Sequence, residues 1–221
     1  MGYQWDFAFL LNYLNLFLFG VAVTLAFTVG TIFAGMVLGL LIGMARLSKS
    51  KIVNGALIVI VEAFRCTPPL VQLVWFYYAL PVILGVQISG PIAAGLVLSL
   101  YVGSFYSEIF RGGMNSIDPG QWEGARVLGL RFWPMMITVI LPQAIRRMLP
   151  PFMNQSVIQL KTTSLVSTIA VPDLLYSGIL VTAETYRPLE VYTLIAVIYF
   201  VILFPMTRLV EKLESRSRKA A

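Results

Sequence analysis

Histidine is absent from this sequence of 221 residues, and cysteine occurs once, as Cys66. The first absence excludes His-based acid–base or triad chemistry and argues against a transition-metal site. The second excludes an intramolecular disulfide framework. Charge is scarce too: 12% of the residues are charged, roughly half of what a soluble domain carries. A Gly-x-x-x-x-Gly-Lys-Ser/Thr phosphate loop is missing, and Gly112-Gly113 does not supply one. No basic residue precedes the first apolar run in Met1-Gly2-Tyr3-Gln4-Trp5-Asp6, which argues against a cleavable signal peptide. Asp6 also breaks the myristoylation pattern, which wants Ser or Thr there.

What is present is apolar. Hydrophobic residues make up 58% of the chain. A spanning helix needs roughly 20 such residues, and five segments qualify: 16–45, 52–84, 91–110, 151–171 and 191–210. The second is broken at Pro68-Pro69, the third ends near Glu108, and the fourth contains Lys161. The net charge of +6 does not point to nucleic acid, because the basic residues flank apolar spans. Arg46, Lys49 and Lys51 follow the first span. Arg111, Arg126, Arg131, Arg146 and Arg147 lie between the third and fourth, and Arg208, Lys212, Arg216, Arg218 and Lys219 end the chain. The opposite side carries Asp6, Asp173, Glu184 and Glu190, with Arg187 its only base. The positive-inside rule then predicts an N-terminus outside and a C-terminus in the cytoplasm of a bacterial inner membrane.

One cytoplasmic connection, 111–150, is long, and a long loop in a compact protein usually has a function. It reads as helical over Gln121–Leu130, with Asp118 as N-cap, Pro119 at the first helical position, and breaks at Gly129 and Pro134. Gly35, Gly39 and Gly43 share one helix face, which suits close packing within the chain or, alternatively, a dimer contact. Pro68-Pro69 and Pro150-Pro151 fall at span entrances and Pro205 inside the last span. The carbonyls such prolines free must be buried in protein or face a wet cavity.

The long connection reads Glu123-Gly124-Ala125-Arg126-Val127-Leu128-Gly129, then nine residues, then Val139-Ile140-Leu141-Pro142. This resembles the EAA signature of binding-protein-dependent ABC importers, Glu-Ala-Ala, three residues, Gly, nine residues, Ile-x-Leu-Pro. Gly124 and Val139 depart from it. The stretch Phe64-Arg65-Cys66-Thr67-Pro68-Pro69-Leu70-Val71-Gln72 is similar to Phe-Arg-Gly-Thr-Pro-Leu-Leu-Val-Gln of polar amino-acid permeases. Tyr106–Gly113, Ile117–Glu123, Leu141–Ala144 and Thr163–Leu165 resemble the same histidine/glutamine/glutamate/arginine permease group. The resemblance covers most of residues 60–175.

It implies an all-α type I importer fold and a single five-span permease domain over 1–221. It further implies alternating access, with Glu123, Gly124, Ala125, Gly129, Leu141 and Pro142 coupling the spans to a separate ATPase dimer that binds ATP and Mg. A second permease subunit, identical or paralogous, and a periplasmic or surface-anchored amino-acid-binding protein complete the assembly in the lipid bilayer. No cofactor or metal is expected on this chain and no catalytic residue. A secondary transporter driven by an ion gradient is the alternative, but such proteins more often carry inverted repeats, and no internal repeat is evident here.

Polar residues at membrane depth face a cavity or a protein partner. The candidates for the substrate path are Arg65, Glu108, Gln155, Gln159, Lys161, Thr162, Thr163 and Ser164. Glu62 and Arg65, like Glu108 and Arg111, are spaced to pair along a helix. Lys161 could meet a substrate carboxylate, with the hydroxyls adding hydrogen bonds; the plainer reading has it paired with Glu108 or a carbonyl. Many members of the resembled group read Lys-Asp-Thr-Ser-Leu here. Thr162 in place of the aspartate removes a partner for a cationic side chain and leans toward a neutral or acidic amino acid.

Overall fold

Inside a bilayer a backbone must satisfy its own hydrogen bonds, and apolar runs of this length do so as helices. The computed structural model describes residues 3–48 and 50–219, without the side chains of 214 and 216–219. Met1, Gly2 and Lys49, and the side chains of Arg216, Arg218 and Lys219, therefore lie outside the described residues. A 3₁₀ turn, Ala8–Tyr13, leads into α1 (Leu14–Ala45), followed by α2 (Lys51–Cys66), α3 (Pro69–Val74) and α4 (Leu80–Leu84). Then come α5 (Gly90–Asn115), α6 (Pro119–Val127), α7 (Phe132–Met135), α8 (Leu141–Thr162), α9 (Leu174–Thr185) and α10 (Pro188–Lys219). No strand occurs among the described residues.

Among the described residues, three helices are long and apolar enough to cross a membrane: Ala8–Ala45, Gly90–Asn115 and Pro188–Leu213. Two bent pairs pass the same test, Lys51–Cys66 with Pro69–Leu84 at 104° and Phe132–Ile169 with Leu174–Thr185 at 46°. Counting each bent pair as one span gives five. The first bend follows from Pro68, which holds Thr67 in an extended conformation (φ −105°, ψ 142°) and so ends α2.

The helix of the fourth apolar segment is longer than the bounds of 151–171 expected for its span: it starts at Phe132, so Pro150 and Pro151 lie inside α8. The carbonyls they free belong to Arg146 and Arg147, and both residues are exposed. Pro134 does not break a helix either: it sits in the first turn of α7, where a missing N–H costs nothing. The connection 111–150 is thus mostly helix. Two π turns, Trp75–Ala79 and Met136–Ile140, each stand just before a proline, Pro81 and Pro142. Proline removes one i→i−4 donor and crowds the carbonyl four residues back; widening the turn relieves that crowding.

The buried stripe of α1 is small or hydroxylic: Phe17, Gly20, Thr24, Thr28, Thr31, Gly35, Gly39 and Gly43. Its outward side carries Leu18, Leu25, Val29, Phe33, Val37 and Leu41, all exposed, as lipid requires. Gly35, Gly39 and Gly43 lie against α5 and Gly20 against the start of α9, so this face serves packing within the chain. A Cβ at Gly39 would sit 2.6 Å from Tyr106 Cβ and 2.9 Å from the Gly103 carbonyl; at Gly43 it would sit 3.0 Å from Phe110 Cβ. Further core clusters join α3, α5 and the end of Phe132–Ile169 around Leu73, Val97 and Val166, and α1, α9 and α10 around Phe17, Val181 and Ile195.

Gly39→Val is expected to separate α1 from α5 and lower stability by about 1–3 kcal/mol or more, read as reduced yield of folded, monodisperse protein and a lower thermal midpoint. Gly55→Ala, where a Cβ meets nothing within 4 Å, should leave both unchanged.

Candidate functional site

Two regions carry the candidate residues. The first is the helical hook α6. Asp118 caps it by accepting a hydrogen bond from the Gly120 amide at 2.7 Å, with Pro119 in the first turn. It ends in a Schellman arrangement: the Leu130 amide donates to the Ala125 carbonyl at 3.1 Å and the Gly129 amide to the Arg126 carbonyl at 2.9 Å. Gly129 has φ +72°, which a side chain would strain. Ala125 is buried with Ile117, Met135, Ile140, Ala144 and Met148, and Trp122 and Leu130 pack on that cluster. The signature therefore divides by direction. Ala125 anchors the hook to the base of α8, while Glu123 and Gly124 are exposed. Around Gly129 lies an apolar patch that sequence reasoning did not single out: Val127 is 87% exposed, Leu128 80% and Trp133 71%. Exposed apolar groups gathered in this way suit contact with another protein. Leu141 is partly buried and Pro142 exposed, at the start of α8 beside the π turn.

The second region is the interior around α5 and α8. Glu108 binds two guanidiniums: its Oε1 contacts Arg46 Nη1, and its Oε2 accepts from Arg111 Nη2 at 2.7 Å and Nε at 3.1 Å. Arg46, at the end of α1, is buried. Sequence reasoning used it only to set topology, since nothing in its spacing marks a partner in α5. Glu62 and Arg65 pair at 2.6 Å as expected, and the Arg65 guanidinium lies 5.4 Å from the Phe105 ring centre. Lys161 is not the partner of Glu108.

The path candidates separate into three groups. Gln159 is fully buried, donating to Thr31 Oγ1 at 2.9 Å and the Leu98 carbonyl at 3.3 Å. Thr163 donates to the Leu160 carbonyl at 2.6 Å and lies 3.4 Å from Thr28 Oγ1. Gln159 stitches α8 to α1 and α5, and Thr163, just past α8, adds a contact to α1. Arg65, Glu108 and Gln155 line one cavity between α2, α5 and α8. Lys161 is exposed, with Thr162 and Ser164 partly exposed beside it, bonding the Ile158 and Lys161 carbonyls.

Lys161 does not stand alone. Arg147, Pro151, Asn154, Ile158 and Lys161 are all exposed, and their steps of four, three, four and three residues place them on one stripe of α8. Two of the positions near the middle of the bent pair Phe132–Thr185 are polar: Asn154 and Lys161. Hydrocarbon cannot satisfy such groups, so this face meets water or protein. The spacing was present in the sequence and missed, because the prolines ended the segment early.

The acids expected in outer connections prove structural. Asp173 is fully buried and caps α9, accepting from the Tyr176 amide at 2.8 Å. Glu190, also fully buried, accepts from the Tyr3 hydroxyl at 2.5 Å, the Asp6 amide at 3.2 Å and Arg187 at 3.1 Å. That carboxylate bond pushes the Tyr3 hydroxyl above its ordinary pKa. Among the described residues no group of His, Cys, Asp and Glu could hold a metal ion.

A family model described as "Binding-protein-dependent transport system inner membrane component" matches residues 35–219. The chain is 36% identical over 216 residues to the glutamine transport system permease protein GlnP of Escherichia coli (strain K12), covering 97% of this chain and 99% of that one. It is 36% identical over 183 residues to YckA of Bacillus subtilis (strain 168), a probable amino-acid ABC transporter permease, covering 83% and 80%. Among solved structures it resembles one described as an amino acid ABC transporter with histidines, at TM-score 0.89 and 34% identity, covering 97% of this chain and 100% of that one. The MetNI methionine ABC transporter, at TM-score 0.67 and 23% identity over 90% and 96% of the two chains, shares the fold.

Glu108→Gln strips a buried guanidinium of its counter-charge and is expected to cost about 3–5 kcal/mol. Glu62→Gln, in a more exposed pair, is expected to cost under about 1 kcal/mol. Thermal unfolding of the purified variants should rank them in that order, and removing Arg46 together with Glu108 should recover part of the loss.

Proposed function

We propose, from the premise that the chain belongs to the family of binding-protein-dependent transport system inner membrane components, that it is the permease subunit of an ATP-driven importer of a polar amino acid. The observation that carries this reading is full-length similarity to a glutamine permease combined with a hook helix whose anchoring and exposed sides are separately formed. Glutamine is the first substrate to test, because the relatives' names give it and Thr162 leaves Lys161 without an adjacent acid.

The orientation follows the charges, with the hook and the C-terminus in the cytoplasm and the N-terminus outside. An ATPase dimer, which binds ATP and Mg, receives the patch of Val127 and Leu128 and pairs with Glu123. Its closing motion passes through Ala125 and the base of α8, past Leu141 and Pro142. A second permease, identical or paralogous, faces the polar stripe of Asn154 and Lys161, and the two stripes enclose the path. A separate amino-acid-binding protein delivers substrate from outside. Docking and ATP each favour one state of the path, and that difference in affinity drives alternation between them. Lys161 meets the substrate carboxylate as it passes.

Proteoliposomes holding the permease and ATPase should take up glutamine only when ATP is inside and the binding protein outside. Uptake by this chain alone under an ion gradient would contradict the proposal. Leu128→Asp is expected to cut both uptake and binding-protein-stimulated ATP hydrolysis by roughly tenfold or more, the usual effect of truncating a buried interface anchor, with no change in thermal midpoint. Lys161→Met should slow uptake or alter the order of preferred amino acids; wild-type rates with unchanged preference would remove Lys161 from the path.

A further inference from the structure

We infer that the cavity between α2, α5 and α8 is a binding station for the carboxylate of the translocated amino acid, an inference that rests on the permease reading above. The cavity, about 480 Å³, is lined by Arg65, Phe105, Glu108, Arg147, Asn154 and Gln155 with neighbouring residues. Its one carboxylate is already occupied, since Glu108 holds Arg46 with one oxygen and Arg111 with the other. Its donors are not. Gln155 is only 7% exposed, and its Nε2 is buried with no acceptor. The Arg65 Nε is likewise buried with no acceptor.

Native proteins seldom leave a buried N–H unpaired, and each instance asks what pairs with it. Here two such donors belong to residues lining the same cavity. A carboxylate offers acceptors and nothing else, which matches what is free. The charge agrees: Arg65 and Arg147 line the cavity, and Glu108 is neutralised twice over. Arg65 is also held in place, with Nη1 on Glu62 and its guanidinium over the Phe105 ring. A guanidinium fixed in this way loses little freedom when it accepts a ligand.

The cavity adjoins the polar stripe, because Pro151 and Asn154 belong to both. Lys161 lies seven residues beyond Asn154 on the same helix, two turns or about 10 Å. A carboxylate leaving Lys161 thus reaches the cavity along the wet face without crossing the packed interior. In the proposed orientation the cavity is the inner of the two stations.

The test uses the permease–ATPase complex in nanodiscs without binding protein. Equilibrium binding of radiolabelled L-glutamine, L-glutamate and L-histidine is measured, and the ligand bound best is carried forward. Gln155→Glu, nearly isosteric and bearing a repelling charge, should weaken that binding by roughly tenfold or more at an unchanged thermal midpoint. Arg65→Lys, which keeps the charge and loses Nε, should act in the same direction and serves if the first variant folds poorly. The amidated form of the ligand should compete at least about tenfold less well than the acid. Wild-type affinity in both variants would overturn the station, and so would displacement by inorganic phosphate as effective as by unlabelled amino acid, which marks a general anion site. If the complete wild-type assembly showed no ATP-driven uptake of any of the three, the permease reading itself would fall. Normal uptake with unaltered binding in the variants removes the station alone.

Discussion

The rest of the structure depends on the close approach of α1 and α5. Gly35, Gly39 and Gly43 let the two backbones come within side-chain-free distance, and in a bilayer that closeness is a main source of helix association. The polar contacts that α1 makes with α5 and α8 are placed by it. Thr31 of α1 reaches Gln159, and Arg46 at the helix end reaches Glu108. Were the helices set apart by ordinary side chains, Arg46 would lose its counter-charge, and the polar seam between α1 and α8 would come apart. Small residues in the first span therefore position charges about 60 residues away in sequence.

Much of this was legible in the sequence. Hydropathy marked the apolar segments, and the caps Asp118 and Gly129 marked the hook, because local chemistry fixes both. The pairs Glu62–Arg65 and Glu108–Arg111 were readable for the same reason, since their partners lie within one helical turn. What escaped notice depends on chain segments far apart. Arg46 looked like a topology marker, yet it is buried against α5. Gln159 and Thr163 looked like path residues, yet they fasten α8 to α1. Proline misled twice, at Pro134 and at Pro150-Pro151, because its cost depends on where the freed carbonyls lie, and pattern alone does not reveal that.

The outer surface separates into two solvents. α1 and α10 present Leu18, Phe33, Val197, Phe200 and Phe204 to the outside, groups that hydrocarbon wets well. α8 presents Asn154 and Lys161. Hydrocarbon suits the first face and not the second, which meets water or protein. The hook shows the same economy at smaller scale: a single turn of helix holds Ala125 inward and Glu123 outward, and neither duty interferes with the other.

The π turn at Met136–Ile140 acts as an indexing element. It carries one residue more than an α turn would, and one residue corresponds to about 100° of helical phase. All of α8 beyond Pro142 is rotated by that amount relative to what an unbroken helix from Phe132 would give. Deleting that extra residue would return the turn to α geometry with Lys161 and Asn154 keeping their bearing, whereas closing the bulge without a deletion would advance both by about 100° and about 1.5 Å along the axis. The turn thus fixes the bearing of the polar stripe against the hook, and the two keep a constant angle between them.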